Sequence, residues 1–234
     1  MQLFYIEQPA LSGAVFLSEE ESFHCIKVLR HRQGDVLHLT DGVGNFYVGR
    51  LQQADSKKAL VAIEETLPQP APVYSVHLAV APTKNMDRNE WLLEKAVELG
   101  VQQVSWLQCQ HSERIHLKWE RLQKIALSAI KQSLQAYLPV QQALVAFDKF
   151  LPTIPNHFQK RMAYIDQAPS PLLQHTLQPR QDVCVLIGPE GDFSPEEVAL
   201  AKQLDFQLVS LGKNRLRTET AAVVACHTCH LINA

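Results

Sequence analysis

Arg217 and Glu219 stand two positions apart where an apolar strand, a glycine turn and a helix start follow one another. Ligands of open α/β sheets bind at the carboxyl ends of the strands. Both side chains could therefore project into a ligand cleft at this point, where a cation and a carboxylate can hold and orient a polar group. A surface ion pair beside a helix cap is the alternative interpretation.

A glycine-rich turn between another apolar strand and a helix lies earlier, within residues 183–197. Ser194 is placed as the N-cap of that helix, and Glu197 is placed to reach back in a capping box. This leaves residues 188–191 as a tight loop whose backbone could grip an adenosine through main-chain hydrogen bonds. A capped turn without function is the alternative. Neither G-x-G-x-x-G nor G-x-x-x-x-G-K-[ST] is present, which counts against a dinucleotide fingerprint or a P-loop.

Small groups of cations are the third feature that could do chemistry. The formal net charge is only -2, so contact with a nucleic acid would have to use local patches. Solvated surface charge is the default interpretation of each group. The cations that could hold RNA phosphates are Lys84, Arg88 and Arg114 near strand ends, and Lys27, Arg30, His31 and Arg32 in the first seventy residues.

The tail contains Cys226-His227-Thr228-Cys229-His230, which matches the C-x-x-C-H pattern of covalent haem attachment. We reject that interpretation because the amino terminus lacks the basic and apolar segments of an export signal. Ala222, Cys226 and Cys229 instead share one face of a helix, which predicts that they pack in a core. The chain has five cysteines, no zinc-ligand spacing and no membrane-length apolar run, so we expect a cytosolic protein with reduced thiols and no metal.

Two kinds of periodicity organise the elements that must position these residues. Short strands around residues 36–41, 45–51 and 58–65, with Asp41-Gly42 as a hairpin signal, predict a small β-barrel. A helix at residues 19–29 should bury Phe23, Ile26 and Val28 or Leu29. The proline-rich stretch at residues 68–72 predicts a stiff connector and a domain boundary.

Beyond that connector, strands alternate with helices, which predicts an α/β domain around a largely parallel sheet. We expect a helix from Arg88 to Leu99, capped by Asp87 and Glu90 and ended by Gly100, and a longer helix over about residues 118–136. The expected strands are residues 75–80, 104–107, 162–165, 183–187 and 207–211.

Six blocks in one order carry a resemblance to a known family: residues 24–30 with 34–35, then 84–88, 91–100, 131–133, 186–193 and 210–221. Together they resemble the RsmE family of bacterial 16S ribosomal RNA uridine-N3 methyltransferases, in the SPOUT class. The resemblance implies a PUA-like β-barrel over residues 1–70 and a SPOUT-type α/β domain over residues 73–234 whose carboxyl end forms a trefoil knot. Asp192 departs from the family pattern, which often has glycine there, and Gln135 stands where arginine is usual.

The resemblance also implies a cofactor, S-adenosylmethionine, bent between the knot loops, and a homodimer acting on 16S ribosomal RNA or the small ribosomal subunit. We assign Arg217 to stabilising a uracil anion, and Glu219 or Glu190 to orienting the uracil or accepting its proton. The RNA-binding residues predicted are Lys27, Arg30, Arg32, Lys84, Arg88 and Arg114. The predicted cofactor-binding residues are Ile165, Asp166, Leu186, Ile187, Gly188, Pro189, Glu190, Gly191, Leu211, Gly212, Leu216, Arg217, Thr218 and Thr220.

Two other functions stay open on the sequence. A noncatalytic dimeric RNA-binding protein would use the barrel and the cationic patches and bind no methyl donor. An enzyme of another class would use residues 188–191 as an anion site for a phosphorylated small molecule.

Overall fold

Two groups of strands, each with its own core, organise the chain. The computed structural model describes residues 2–7, 13–165 and 169–233. By its internal contacts the chain divides into one unit of Met1–Ala71 with Leu127–Leu138, and a second unit of Pro72–Ala126 with Pro139–Ala234. Residues 127–138 thus return to the first unit after the chain has entered the second.

The first unit is built on a curled five-stranded sheet in the order β1-β3-β4-β5-β2. Asp41-Gly42 joins β3 to β4 in an antiparallel hairpin, as the sequence predicts. Alternate side chains of these strands, among them Leu37, Leu39 and Val61, are fully buried and form the core of the unit. The strands are β1 Leu3–Tyr5, β2 Ala14–Phe16, β3 Val36–Thr40, β4 Asn45–Gln53 and β5 Leu60–Pro68.

The helix of the first unit changes type part-way along. The helix α1 spans Glu19–Phe23, and a π-helical segment continues it over His24–Val28. A π-helix has more residues per turn than an α-helix, so the buried face rotates. The predicted apolar face was therefore wrong for Phe23 and Val28, which are each 55% exposed, and for Leu29, which is 37% exposed. Ile26 does pack against the core, beside the fully buried Cys25.

Residues 127–138 complete the first unit through specific contacts. Lys131 forms an ion pair with Glu21, whose side chain is almost wholly buried. Gly44 adopts φ +113°, and the Tyr137 ring lies where a Cβ of residue 44 would be. A side chain at position 44 would meet both a conformational penalty and a direct clash, so the glycine is required there.

The second unit is built on a six-stranded sheet in the order β11-β9-β10-β6-β7-β8, in which every strand pair is parallel. This confirms the predicted α/β architecture. The strands are β6 Val76–Val80, β7 Gln103–Gln108, β8 Val140–Ala146, β9 Gln159–Ala163, β10 Val183–Ile187 and β11 Gln207–Val209. The helices are α2 Met86–Glu98, α4 Phe147–Phe150, α5 Pro195–Gln203 and α6 Thr218–Asn233. The helix α3, Trp119–Gln132, begins in this unit and passes into the first unit at Leu127.

Two local predictions for this unit were wrong. The strand β8 was missed because it lies at the sheet edge, is exposed at Val140, Gln142 and Ala143, and lacks the apolar run of a central strand. The cap of α2 is Asn85, whose side chain accepts a hydrogen bond from the Asp87 amide. The predicted cap at Asp87 therefore lies two residues too late.

The cysteines of α6 lie in the core, as their helical spacing predicts. Cys226 and Cys229 are fully buried on one face of α6. All five cysteines of the chain are free thiols and all are buried. Burial raises the pKa of the Cys229 thiol to about 12, so this group stays protonated and unreactive at neutral pH.

Candidate functional site

The carboxyl ends of the three neighbouring strands β9, β10 and β11 open into one cavity of about 450 Å³. Each strand is followed by a loop that forms part of the cavity wall, as expected at the carboxyl edge of a parallel sheet. The lining residues are Arg88, Ala163, Tyr164, Ile165, Ile187, Gly188, Pro189, Glu190, Asp192, Val209, Ser210, Leu211, Gly212, Asn214, Arg215, Leu216, Arg217, Thr218 and Ala221.

The loop after β10 is held in shape by the helix that follows it. Ser194 Oγ accepts a hydrogen bond from the Glu197 amide at 3.2 Å, and Glu197 Oε2 accepts one from the Ser194 amide at 2.9 Å. This is the capping box predicted from the sequence. The loop is also closely packed, since a Cβ on Gly188 would lie 3.0 Å from the ring of buried Phe193.

The loops after β10 and β11 converge. The Thr218 hydroxyl, at the start of α6, donates a hydrogen bond of 3.0 Å to the Gly188 carbonyl oxygen. The two glycine turns selected from the sequence therefore line the same cavity. This contact joins a strand end to a helix start and holds the two turns together on the cavity wall.

The cavity wall carries charges of both signs. Arg88, Arg215 and Arg217 bring guanidinium groups to it, and Glu190 and Asp192 bring carboxylates. Glu190 accepts a hydrogen bond from the Lys84 amide at 3.0 Å. Burial raises the pKa of Asp192 above its ordinary value. This mixture suits a ligand with both cationic and anionic parts.

Glu219 does not line the cavity with Arg217, although the sequence suggested that both side chains project into one cleft. It lies 7% exposed at the start of α6, and its Oε1 atom is 3.6 Å from Arg88 Nε. Within the described residues its second oxygen, Oε2, is buried and has no hydrogen-bond partner. Arg88 does line the cavity, so this ion pair connects Glu219 to the cavity wall.

Replacing Arg88 with alanine should destabilise the second unit by about 1 to 2 kcal/mol, because it leaves the buried Glu219 carboxylate without its cation. The expected loss of unfolding free energy is limited because Arg88 is partly exposed to solvent, which screens the ion pair. Urea unfolding of Arg88→Ala measures the loss. The double variant Arg88→Ala, Glu219→Gln removes the uncompensated charge and should recover part of it. An unchanged free energy of unfolding in Arg88→Ala would contradict the pairing.

Comparison with known families decides the class of the protein. Residues 69–230, more than half of the chain, match the family described as the RNA methyltransferase domain. The chain belongs to this RNA methyltransferase family. Residues 17–64 of the methyltransferase also match the RNA methyltransferase PUA domain.

Individual relatives of this RNA methyltransferase agree with that assignment. A crystal structure of a probable rRNA-methyltransferase from Porphyromonas gingivalis is 40% identical, with a TM-score of 0.93 over 100% of this chain and 98% of that one. A ribosomal RNA small subunit methyltransferase E from Neisseria gonorrhoeae, bound to S-adenosyl methionine, is 26% identical, with a TM-score of 0.88 over 100% and 98%. The protein of that name from Rickettsia conorii is 26% identical over 96% of this chain and 93% of its own. The resemblance to the RsmE family is thus confirmed.

The cavity of the methyltransferase contains most of the residues that the sequence assigned to the cofactor. Leu186, Gly191 and Thr220 are not among the lining residues: Leu186 is fully buried within β10, and Gly191 faces His111. Asp166 lies outside the described residues. The predicted residues that do line the cavity are Ile165, Ile187, Gly188, Pro189, Glu190, Leu211, Gly212, Leu216, Arg217 and Thr218.

Sequence reasoning missed several lining residues. Arg215 follows the same strand end as Arg217, so the argument that selected one would also have selected the other. Asp192 was noted only as a departure from the family pattern. Arg88 was assigned to RNA, and no sequence signal places it beside the loop after β10, because that proximity depends on the order of strands in the sheet.

The cations predicted to bind RNA fall into two groups. In the first unit Lys27, Arg30 and Arg32 are exposed. In the second unit Lys84 pairs with Glu113 at 2.8 Å, and the Arg114 guanidinium donates hydrogen bonds to two backbone carbonyl oxygens of the loop after β6. Arg114, in the loop after β7, thus stabilises the loop after β6.

Residues 2–7, 13–165 and 169–233 contain no group of three or more His, Cys, Asp or Glu side chains placed to hold a metal ion. Across these residues every helix is too short or too polar to cross a bilayer.

Proposed function

We propose that this protein transfers a methyl group from S-adenosylmethionine to the N3 position of a specific uridine in 16S ribosomal RNA of the small subunit. The observation that carries the proposal is the cavity at the ends of β9, β10 and β11, which lies within the matched methyltransferase domain. The similar Neisseria protein, named for small-subunit ribosomal RNA, was crystallised with S-adenosyl methionine.

The cavity fits that cofactor in size and chemistry. Its volume of about 450 Å³ is within the range of roughly 300 to 1,000 Å³ for small-molecule sites. Ile165, Leu211 and Leu216 offer apolar contacts suited to an adenine ring, and the backbone near Gly188 and Gly212 offers hydrogen bonds. When bound, S-adenosylmethionine supplies an electrophilic methyl group on a sulfonium.

The protein's own residues then have to bind uracil, orient it and handle its imide proton. The Arg217 guanidinium lies on the cavity wall, where it stabilises the negative charge that develops on the uracil. Glu190 lies on the same wall and orients the uracil or accepts its N3 proton. Glu219 contributes through Arg88, so we assign it a positioning role. Alignment of the reacting atoms supplies most of the acceleration.

We further propose a PUA-like barrel over residues 1–70, the main segment of the first unit, and a SPOUT domain over residues 73–234 whose carboxyl end forms a trefoil knot, although residues 127–138 group with the first unit. The match of residues 17–64 to a PUA domain supports the first assignment. The homodimer and the cytoplasmic location implied by the resemblance belong to the same proposal.

Calorimetric titration with S-adenosylmethionine, followed by mapping of methylated nucleotides in 16S ribosomal RNA, tests this function. We expect saturable binding of the donor, and one N3-methylated uridine that is lost from cells lacking the protein. A noncatalytic RNA-binding protein would give no heat with the donor. An enzyme acting on a phosphorylated small molecule would bind a nucleoside phosphate but not S-adenosylhomocysteine.

The two groups of cations should respond differently to mutation. Lys27→Ala and Arg32→Ala should each weaken RNA binding and lower the slope of log affinity against log salt by about 1, because each removes one phosphate contact. Arg114→Ala should instead lower the melting temperature, since it removes hydrogen bonds to the loop after β6. Filter binding at several salt concentrations and thermal melting measure the two effects. If Lys27→Ala and Arg32→Ala left the salt slope unchanged, the first unit would not bind RNA through these cations.

A further inference from the structure

Asp192 occupies a strained backbone position on the cavity wall. Its φ is +62°, in the left-handed region that side chains rarely adopt. Aspartate tolerates this region better than most residues, but glycine would adopt it without strain. Strained residues of this kind persist where the surrounding structure or the function requires them. Glycine would therefore be the more stable residue at this position, so the presence of a carboxylate here requires an explanation other than stability.

The Asp192 carboxylate also lacks a paired cation. Its Oδ1 atom accepts a hydrogen bond of 2.9 Å from the Phe193 amide. Among the described residues no Lys, Arg or His nitrogen lies within 4.0 Å of its oxygens, although Arg215 and His111 are near enough to favour its charged form. The other acids near the cavity differ in another way: Glu219 pairs with Arg88, and Glu190, which accepts a hydrogen bond from the Lys84 amide, is exposed, so water solvates its charge.

A half-buried carboxylate without a cation is costly, and a cationic ligand removes that cost. We propose that Asp192 is the counter-ion for the cationic end of the methyl donor. The inference rests on the proposed function and assigns a binding role within the same cavity. S-adenosylmethionine carries two positive groups, the sulfonium and the α-ammonium. Methyl transfer forms the N–CH₃ bond and breaks the S–CH₃ bond, and the electron pair of the broken bond stays on sulfur as a neutral thioether.

Three ligands separate the two positive groups. S-adenosylmethionine has both, S-adenosylhomocysteine has only the ammonium, and methylthioadenosine has neither. In Asp192→Asn, which keeps the size of the side chain and its acceptor oxygen, we expect S-adenosylmethionine to bind roughly ten-fold more weakly, while methylthioadenosine binds as in wild type. If the affinity for S-adenosylhomocysteine falls equally, Asp192 contacts the ammonium. If that affinity is unchanged, Asp192 contacts the sulfonium.

Two glycine variants guard against misfolding as an explanation. Asp192→Gly relieves the positive φ, so its melting temperature should equal or exceed that of wild type while donor binding falls. Asp205 has φ +66° in an exposed position after α5 and does not line the cavity. Asp205→Gly should therefore also keep its melting temperature, but with unchanged affinity for all three ligands.

Isothermal titration of each variant with each ligand decides between the outcomes. Equal affinities of wild type and Asp192→Asn for all three ligands would overturn the counter-ion assignment and leave the methyltransferase function intact. An equal loss for all three would also overturn it, since methylthioadenosine offers no charge to pair. Absence of donor binding to wild type would instead refute the proposed function itself.

Discussion

Replacing Arg217 with alanine is expected to lower kcat for RNA methylation by a factor on the order of 100 to 1,000. The Arg217 side chain lines the cavity at the end of β11, where the proposed reaction places a uracil that gains negative charge as its N3 proton leaves. A guanidinium that stabilises this charge acts in the transition state, so its removal should reduce kcat. Affinity for S-adenosylmethionine should change by less than about three-fold.

Single-turnover methylation of 16S ribosomal RNA, with calorimetric titration of the donor, measures the two quantities separately. Lys213 supplies a matched control, because it is an exposed cation in the same loop that does not line the cavity. Lys213→Ala should retain wild-type kcat. Full activity in Arg217→Ala, or an equal loss in both variants, would show that Arg217 has no specific catalytic role.

Acidification should destabilise the second unit through His77. This side chain is 6% exposed within β6, its ring packs edge-on against Phe150, and its Nε2 atom donates to Ser105 Oγ at 2.8 Å. The Ser105 hydroxyl donates in turn to Gln142, so Ser105 accepts from His77 and the Nε2 atom carries the hydrogen. Burial lowers the pKa of His77 from 6.5 to about 4.

The sign of the effect follows from where the proton binds. Below pH 6.5 the unfolded chain takes up a proton at His77 and the folded protein does not, until the pH approaches 4. The stabilisation is therefore complete above pH 6.5 and falls by about 1.4 kcal/mol per pH unit, for a loss on the order of 3 kcal/mol.

Urea unfolding of wild type and His77→Gln between pH 4 and 8 isolates this contribution, because the carboxylates and His230 titrate in both proteins. The difference between the two free energies of unfolding should be constant above pH 6.5 and shrink toward pH 4. A difference that stays constant over the whole range would mean that His77 titrates normally in the folded state.

Features that depend on neighbours along the chain could be predicted from the sequence. The capping box of Ser194 and Glu197, the hairpin at Asp41 and the burial of Cys226 with Cys229 are all confirmed. Each depends on contacts within a few residues or on one helical face, which spacing alone determines. For the same reason the glycine turns at the ends of β10 and β11 could be recognised as parts of a site.

Features that depend on distant residues required the tertiary structure. Arg217 and Glu219 are two positions apart, yet one lines the cavity and the other is buried against Arg88, because helix α6 begins at Thr218 and directs the two side chains differently. Arg114 is indistinguishable by type from an RNA-binding cation until the carbonyl oxygens it contacts are known.

The amino-acid sequence by itself determined the parallel α/β domain, the two glycine turns and the presence of charged side chains close to those turns. Only the tertiary structure decided which of those residues share the cavity, since β10 lies between β9 and β6 and brings together loops far apart along the chain. The physical reason is that periodicity and capping depend on residues close together in the chain. The order of the strands, the pairing of buried charges and the shape of the cavity depend on contacts across the whole domain.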